Sequence, residues 1–182
     1  MKARANVYVT ISGILSCYDE SIKGNCMTEK SALFRSLTMQ AGEIVRSKLD
    51  REEKLKRICK LLKDNVSYYD WVGFYIVNPK RQNELLLGPF EGQPTEHVKI
   101  SFGKGICGQA AELKKTFISQ DVSQEVNYLS CNPNVRSEIV SPIFKKREIV
   151  GELDIDSHIC SPFTDEDEAF LERIGQIVSK LL

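Results

Sequence analysis

Three acidic residues stand at alternate positions in Glu152-Leu153-Asp154-Ile155-Asp156. In an extended chain successive side chains point to opposite sides, so Leu153 and Ile155 face one way and the carboxylates the other, with like-facing neighbours roughly 7 Å apart. Carboxylates stacked at that spacing repel one another, and a cation, a positively charged ligand or bulk water would relieve them. Trp71, Gly73 and Tyr75 share a strand face in the same way, opposite Val72, Phe74 and Ile76. Aromatic residues at alternate positions ordinarily build a core. Set against the carboxylates, they would instead make a pocket with an apolar wall and anionic groups, suited to a small zwitterion that carries an ammonium and an apolar tail.

Two of the six cysteines stand where a thiol could react. Cys107 follows Gly103-Lys104-Gly105 at the start of an expected helix, where unpaired backbone N–H groups favour a thiolate. Cys131 follows Tyr128-Leu129-Ser130 in a polar loop, accessible and movable. Either alone would be an ordinary cysteine. Cys59 lies on the apolar face of a helix and reads as core, while Cys17, Cys26 and Cys160 carry no chemical signal. The cysteines show no C-x-x-C spacing, and the two histidines, His97 and His158, form no H-E-x-x-H or H-x-x-H pattern. Neither a structural zinc site nor a catalytic metal site is therefore expected. The chemistry falls to thiols and carboxylates, with no bound metal or organic cofactor.

The elements that must position these groups follow from periodicity. Leu33, Leu37, Ala41, Ile44 and Val45, then Leu55, Ile58, Cys59, Leu62 and Val66, recur at helical spacing. Residues 71–77 and 83–90 read as strands joined through a connection that carries Pro79. A short extended stretch at residues 97–100 leads into the glycine-rich turn and its helix, and residues 116–119 make a brief strand. Residues 121–136 read as a long loop, a length that usually marks function. Residues 138–144 and 148–157 form a hairpin that turns at Lys145-Lys146-Arg147. A last helix starts at Thr164, with Asp165, Glu166 and Asp167 in its first turn and Phe170, Leu171, Ile174, Ile177, Val178 and Leu181 on one face. This order predicts an α+β fold, an antiparallel sheet with helices packed on one side.

The 182 residues suit one domain, 42% are hydrophobic, and the 25 basic residues balance the 25 acidic ones. Neither a nucleic-acid surface nor a membrane surface is indicated. No apolar run approaches the length that spans a bilayer. Lys2 and Arg4 before Val7 to Leu15 and Ser16-Cys17 faintly resemble a bacterial lipoprotein signal, but Thr10 and Ser12 interrupt it, and an accessory strand or docked arm is the preferred reading.

Taken in order, Trp71-Val72-Gly73-Phe74-Tyr75, Leu87-Gly88-Pro89-Phe90, Gly103-Lys104-Gly105-Ile106-Cys107-Gly108, the loop Cys131, Ser137-Glu138-Ile139-Val140 and Leu153-Asp154-Ile155-Asp156-Ser157 closely resemble the GAF-domain free methionine-(R)-sulfoxide reductases. The resemblance implies a GAF-type domain over residues 28–182, behind an N-terminal extension of unknown role over residues 1–27. It implies a cytoplasmic oxidoreductase acting on free methionine sulfoxide, recycled by a thioredoxin-like reductant, with a homodimer compatible with the family. By the same resemblance Cys131 corresponds to the attacking cysteine and Cys107 to the cysteine at the helix start. Trp71 and Tyr75 would line the methyl-sulfinyl pocket, and Glu138, Asp154 and Asp156 would hold the ammonium and supply a proton. Many members carry a third cysteine where this chain has His97, which implies a two-thiol cycle with Cys107 as the resolving thiol. The alternative from another class is a non-catalytic GAF sensor that binds a small ligand in the same pocket.

Overall fold

The computed structural model describes residues 28–129 and 132–182; the segment 1–27, with Cys17 and Cys26, and the loop thiol Cys131 lie outside the described residues. Helix α1 (Glu29–Arg46) starts at Thr28, whose hydroxyl accepts the Ser31 N–H. Helix α2 (Arg51–Asn65) starts at Asp50, whose carboxylate accepts the Glu53 N–H. The chain then extends into β1 (Trp71–Val77), β2 (Glu84–Glu91) and β3 (Lys99–Ser101). Helix α3 (Gly105–Leu113), β4 (Phe117–Ser119), β5 (Ser137–Lys145), β6 (Glu148–Ser157) and α4 (Asp165–Val178) complete it. The stretch expected to be a loop after β4 contains one 3-10 turn, Val122–Gln124. No helix among the described residues is long and apolar enough to cross a membrane.

The six strands form one sheet in the order β3-β2-β1-β6-β5-β4, every neighbouring pair antiparallel. The apolar stripes of α1, α2 and α4 pack on one face, where Phe34, Leu37, Leu55, Ile58, Phe170 and Ile174 meet Val72, Phe74, Ile139, Leu153 and Ile155. These three helices occupy one side as expected. The short α3 does not: its Ile106, Cys107, Ala110 and Ala111 pack on the opposite face against Trp71, Tyr75, Leu85 and Val140. The reason lies in Trp71 and Tyr75 of β1, Leu85 of β2 and Val140 of β5, apolar side chains on that face that need a second cover.

The β5–β6 hairpin turns on Lys146 and Arg147, both with positive φ, between the paired Lys145 and Glu148. A two-residue turn of this hand matches the twist of the strands, although neither residue is glycine, which costs roughly 1 kcal/mol for each. The tight turn fixes the register of β6 against β5.

Asp167 ties the helical layer together. Its Oδ1 accepts the hydroxyls of Tyr68 at 2.7 Å and Tyr69 at 3.0 Å, and its Oδ2 accepts the Thr164 N–H at 2.7 Å and the Lys30 ammonium at 2.5 Å. Burial alone would raise the carboxyl's pKa, but the bonds from Lys30, Tyr68 and Thr164 outweigh it and hold the group below the ordinary range. A depressed carboxylate stabilises the fold above its unfolded pKa of about 3.9, and that contribution is lost as pH falls through the folded value. Asp167→Asn should therefore cost about 2 kcal/mol at neutral pH. The same variant should lose less further stability than the parent on acidification, as read by urea midpoints across the acid range.

Candidate active site

Register places Trp71 opposite Asp156, Gly73 opposite Asp154 and Tyr75 opposite Glu152. From the other side, β5 sets Glu138 opposite Asp156. Strand alternation thus delivers the three β6 carboxylates, Glu138 and both aromatic residues to the face covered by α3. Of the explanations open for the acidic run, exposure to water fails: Glu138, Glu152, Asp154 and Asp156 are 4%, 0%, 1% and 3% exposed.

The aromatic wall is tightly held. Trp71 stacks on Phe90 with ring centroids 5.4 Å apart and donates its Nε1–H to the Gln93 carbonyl at 3.0 Å. Its ring lies across Gly73, where a Cβ would approach Cη2 to 2.1 Å; only glycine admits the ring there. Tyr75 is fully buried, and its hydroxyl donates to the His97 carbonyl at 2.9 Å, anchoring the segment that leads into β3.

Cys107 is the third residue of α3, a helix that Gly105 opens with φ +64°. Its Sγ lies 3.2 Å from Asp154 Oδ2 and 3.7 Å from Glu138 Oε1. This overturns the expectation that the helix start lowers the thiol's pKa. Burial first, then the charges of Asp154, Glu152 and Glu138, push it well above the ordinary value. The partial charge of a helix terminus, about half an elementary charge, does not offset several carboxylates at contact in a dry site. Cys107 is a neutral thiol that donates to a carboxylate.

The carboxylates hold protons for the same reason. Burial pushes Asp154 up to about 7, and burial followed by the charge of Asp154 holds Glu138, Glu152 and Asp156 well above the usual carboxylate range. Among the described residues no Lys or Arg pairs with any of the four. Asp154 Oδ1, Asp156 Oδ1 and both Glu152 oxygens have no hydrogen-bond partner there. Such a cluster can donate a proton near neutral pH, and it lacks a cation.

Asp156 reaches a cavity of about 30 Å³ lined by Asp70, Trp71, Gln93, Thr95, Asn132, Val135 and His158. That space suits water rather than an amino acid. A hydrogen bond from Asn132 Nδ2 to Gln93 Oε1 joins two residues of its lining, one after β2 and one next to Cys131 in sequence.

The comparisons with known proteins agree with this frame. The GAF domain model matches residues 50–182. The free methionine-R-sulfoxide reductase of Escherichia coli is 36% identical, the match covering 67% of this chain and 72% of that protein. Among solved structures, the free methionine-R-sulfoxide reductase of Neisseria meningitidis in complex with its substrate superposes with a TM-score of 0.79 at 34% identity, over 85% of this chain and 90% of that one. The chain belongs to the GAF-domain free methionine-(R)-sulfoxide reductase family. The reduced form of fRMsr of Staphylococcus aureus is similar as well, with a TM-score of 0.74 and 41% identity over 82% of this chain and 94% of that one.

Within this reductase-family fold, Trp71, Tyr75, Cys107, Glu138, Asp154 and Asp156 converge on one sheet face. Cys131 lies outside the described residues, while its neighbour Asn132 reaches the cavity. Three groups, Asp70, Gln93 and Asn132, were not singled out from sequence, and Glu152, read as part of the acidic run, was given no role in the site. Glu152 shares the parity of Asp154 and Asp156 and could have been added on that signal. Asp70, which accepts the His158 N–H at 2.7 Å and adds its charge to the burden on Asp156, precedes its strand without a pattern. Gln93 and Asn132 meet only through tertiary structure.

Proposed function

We propose that the chain reduces free L-methionine-(R)-S-oxide to L-methionine with Cys131 as nucleophile, Cys107 as resolving thiol and a thioredoxin-type reductant closing the cycle. The observation that carries this reading is the buried, proton-holding carboxylate cluster in contact with Cys107 beside the Trp71 wall. A carboxyl that ionises near neutral pH, as Asp154 does, suits the substrate's ammonium, the members that stay protonated suit a departing oxygen, and the indole suits the methyl-sulfinyl end. The Cys131 thiolate attacks the sulfoxide sulfur while a carboxyl group protonates the oxygen; methionine leaves, and the oxygen stays on Cys131 as a sulfenic acid. Cys107 condenses with it, losing water and forming a disulfide, which an external dithiol reopens by exchange. The thiols supply both electrons, so the cycle calls for no bound metal or organic cofactor, and a reducing compartment such as the cytoplasm would sustain it.

The test is thiol loss on incubation with substrate. The reduced protein should lose two thiols per chain with free methionine-(R)-sulfoxide, and none with the S epimer or with an N-acetylated, C-amidated substrate, whose uncharged nitrogen cannot answer the carboxylates. Unchanged thiols with the free R epimer would leave a ligand-binding sensor in place of the enzyme.

A further inference from the structure

We propose that Cys107, Glu138 and Asp154 form a binding site for one thiophilic divalent cation, zinc(II) or a metal of similar softness, which occupies the reduced protein and reversibly ties up the Cys107 sulfur. One ligand atom from each residue lies within 4.8 Å of the others. The Cys107 sulfur is 3.2 Å and 3.7 Å from the two carboxylate oxygens. Zinc bonds of about 2.3 Å to sulfur and about 2.0 Å to oxygen, opened to a tetrahedral angle, set sulfur and oxygen about 3.5 Å apart. The two observed sulfur–oxygen distances bracket that edge.

The three ligands come from α3, β5 and β6, each seated in the core, and the site is preformed by tertiary structure. Their separation in the chain explains why no metal spacing is visible in the sequence. A second observation points to a cation at this spot. Glu152, with no exposed surface, has both carboxylate oxygens unpartnered among the described residues. Asp154 Oδ1, on one of the three ligands, is likewise buried without a partner among the described residues. Among the described residues no Lys or Arg pairs with these carboxylates, so a dication that displaced their protons would meet no competing cation there. Three protein ligands leave a fourth position for water.

Binding is an exchange of protons for metal: the Cys107 S–H bond is replaced by S–Zn, the displaced protons leave to solvent, and no electrons move. The bound metal competes with a ligand's ammonium for the same carboxylates and withholds the thiol from oxidation.

The test uses the reduced full chain, titrated anaerobically with cobalt(II) as a visible zinc surrogate. The expected result is one cobalt per chain with a thiolate-to-cobalt charge-transfer band, displaced by one equivalent of zinc. The band is lost in Cys107→Ser, zinc affinity falls at least about tenfold in Glu138→Gln, and both are unchanged in Cys160→Ser. X-ray absorption at the zinc edge of the unmodified protein reads the ligand shell without any variant, and it should show sulfur at about 2.3 Å together with oxygen at about 2.0 Å. The absence of a charge-transfer band, a full band in Cys107→Ser, undiminished affinity in Glu138→Gln or a shell without sulfur would each overturn the site. These spectra come from the resting protein, so a failure of the reductase reading and a failure of this one are seen separately.

Discussion

Cys131→Ser should release no methionine from free methionine-(R)-sulfoxide even in a single turnover, while Cys107→Ser should release about one per chain and then stop. The division follows from the surroundings of Cys107. A thiol acts as a nucleophile through its thiolate, and Cys107 is held neutral by burial and by Asp154, Glu152 and Glu138. It is poorly placed to attack first and well placed to resolve, because a sulfenic acid is a strong electrophile and Asp154 is at hand to take the departing thiol proton. The stalled Cys107→Ser protein should carry a sulfenic acid that dimedone traps, and thioredoxin should fail to recycle it, since there is no disulfide to open. Disulfide closure needs the two Cα atoms within about 7 Å, an approach that the loop between Asn127 and Arg136 has to allow in the proposed cycle. Methionine released by Cys131→Ser and not by Cys107→Ser would exchange the two roles.

Glu138→Gln and Asp156→Asn should each lower kcat/KM by at least about 100-fold with the far-ultraviolet circular dichroism unchanged, because they remove an ionisable carboxyl where the proposed cycle stabilises the ammonium and the departing oxygen. The same amides should raise the unfolding temperature at neutral and alkaline pH. A carboxyl whose folded pKa lies above its unfolded value favours the folded state below the unfolded pKa and loses that contribution as pH rises through the folded one. For Asp154 that window runs from about 3.9 to about 7. Glu138 and Asp156 are shifted in the same direction. Near-normal activity in both variants would remove the carboxylates from the chemistry. Lower stability in both would mean that the cluster is compensated after all.

Much of this site is written in alternation. The parity of Glu152, Asp154 and Asp156 against Leu153 and Ile155, and of Trp71 and Tyr75 against Val72 and Phe74, decides which residues share a face, and the sheet keeps that assignment. Parity cannot say which face is buried, and so the acidic run admitted a solvated reading that only α3 and its loops exclude. The same limit explains Cys107. Its place at a helix start is local and legible, whereas the carboxylates that reverse its electrostatics arrive from residues 138, 152 and 154. The side that α3 takes was not legible, because a short helix with six of its nine residues buried leaves little amphipathic signal to show which layer it joins.

The strand β6 carries the helix-side core on one edge of its pleat and the acid cluster on the other, in a register pinned by the Lys146-Arg147 turn. A slip of one residue would drive three carboxylates in among Phe74, Ile139 and Leu171 and lay Leu153 and Ile155 over Cys107. Such a molecule could not persist as a folded species. Misassembly is therefore removed by the folding equilibrium itself, and different preparations or mild destabilising variants should differ in how much protein survives rather than in the specific activity of what remains.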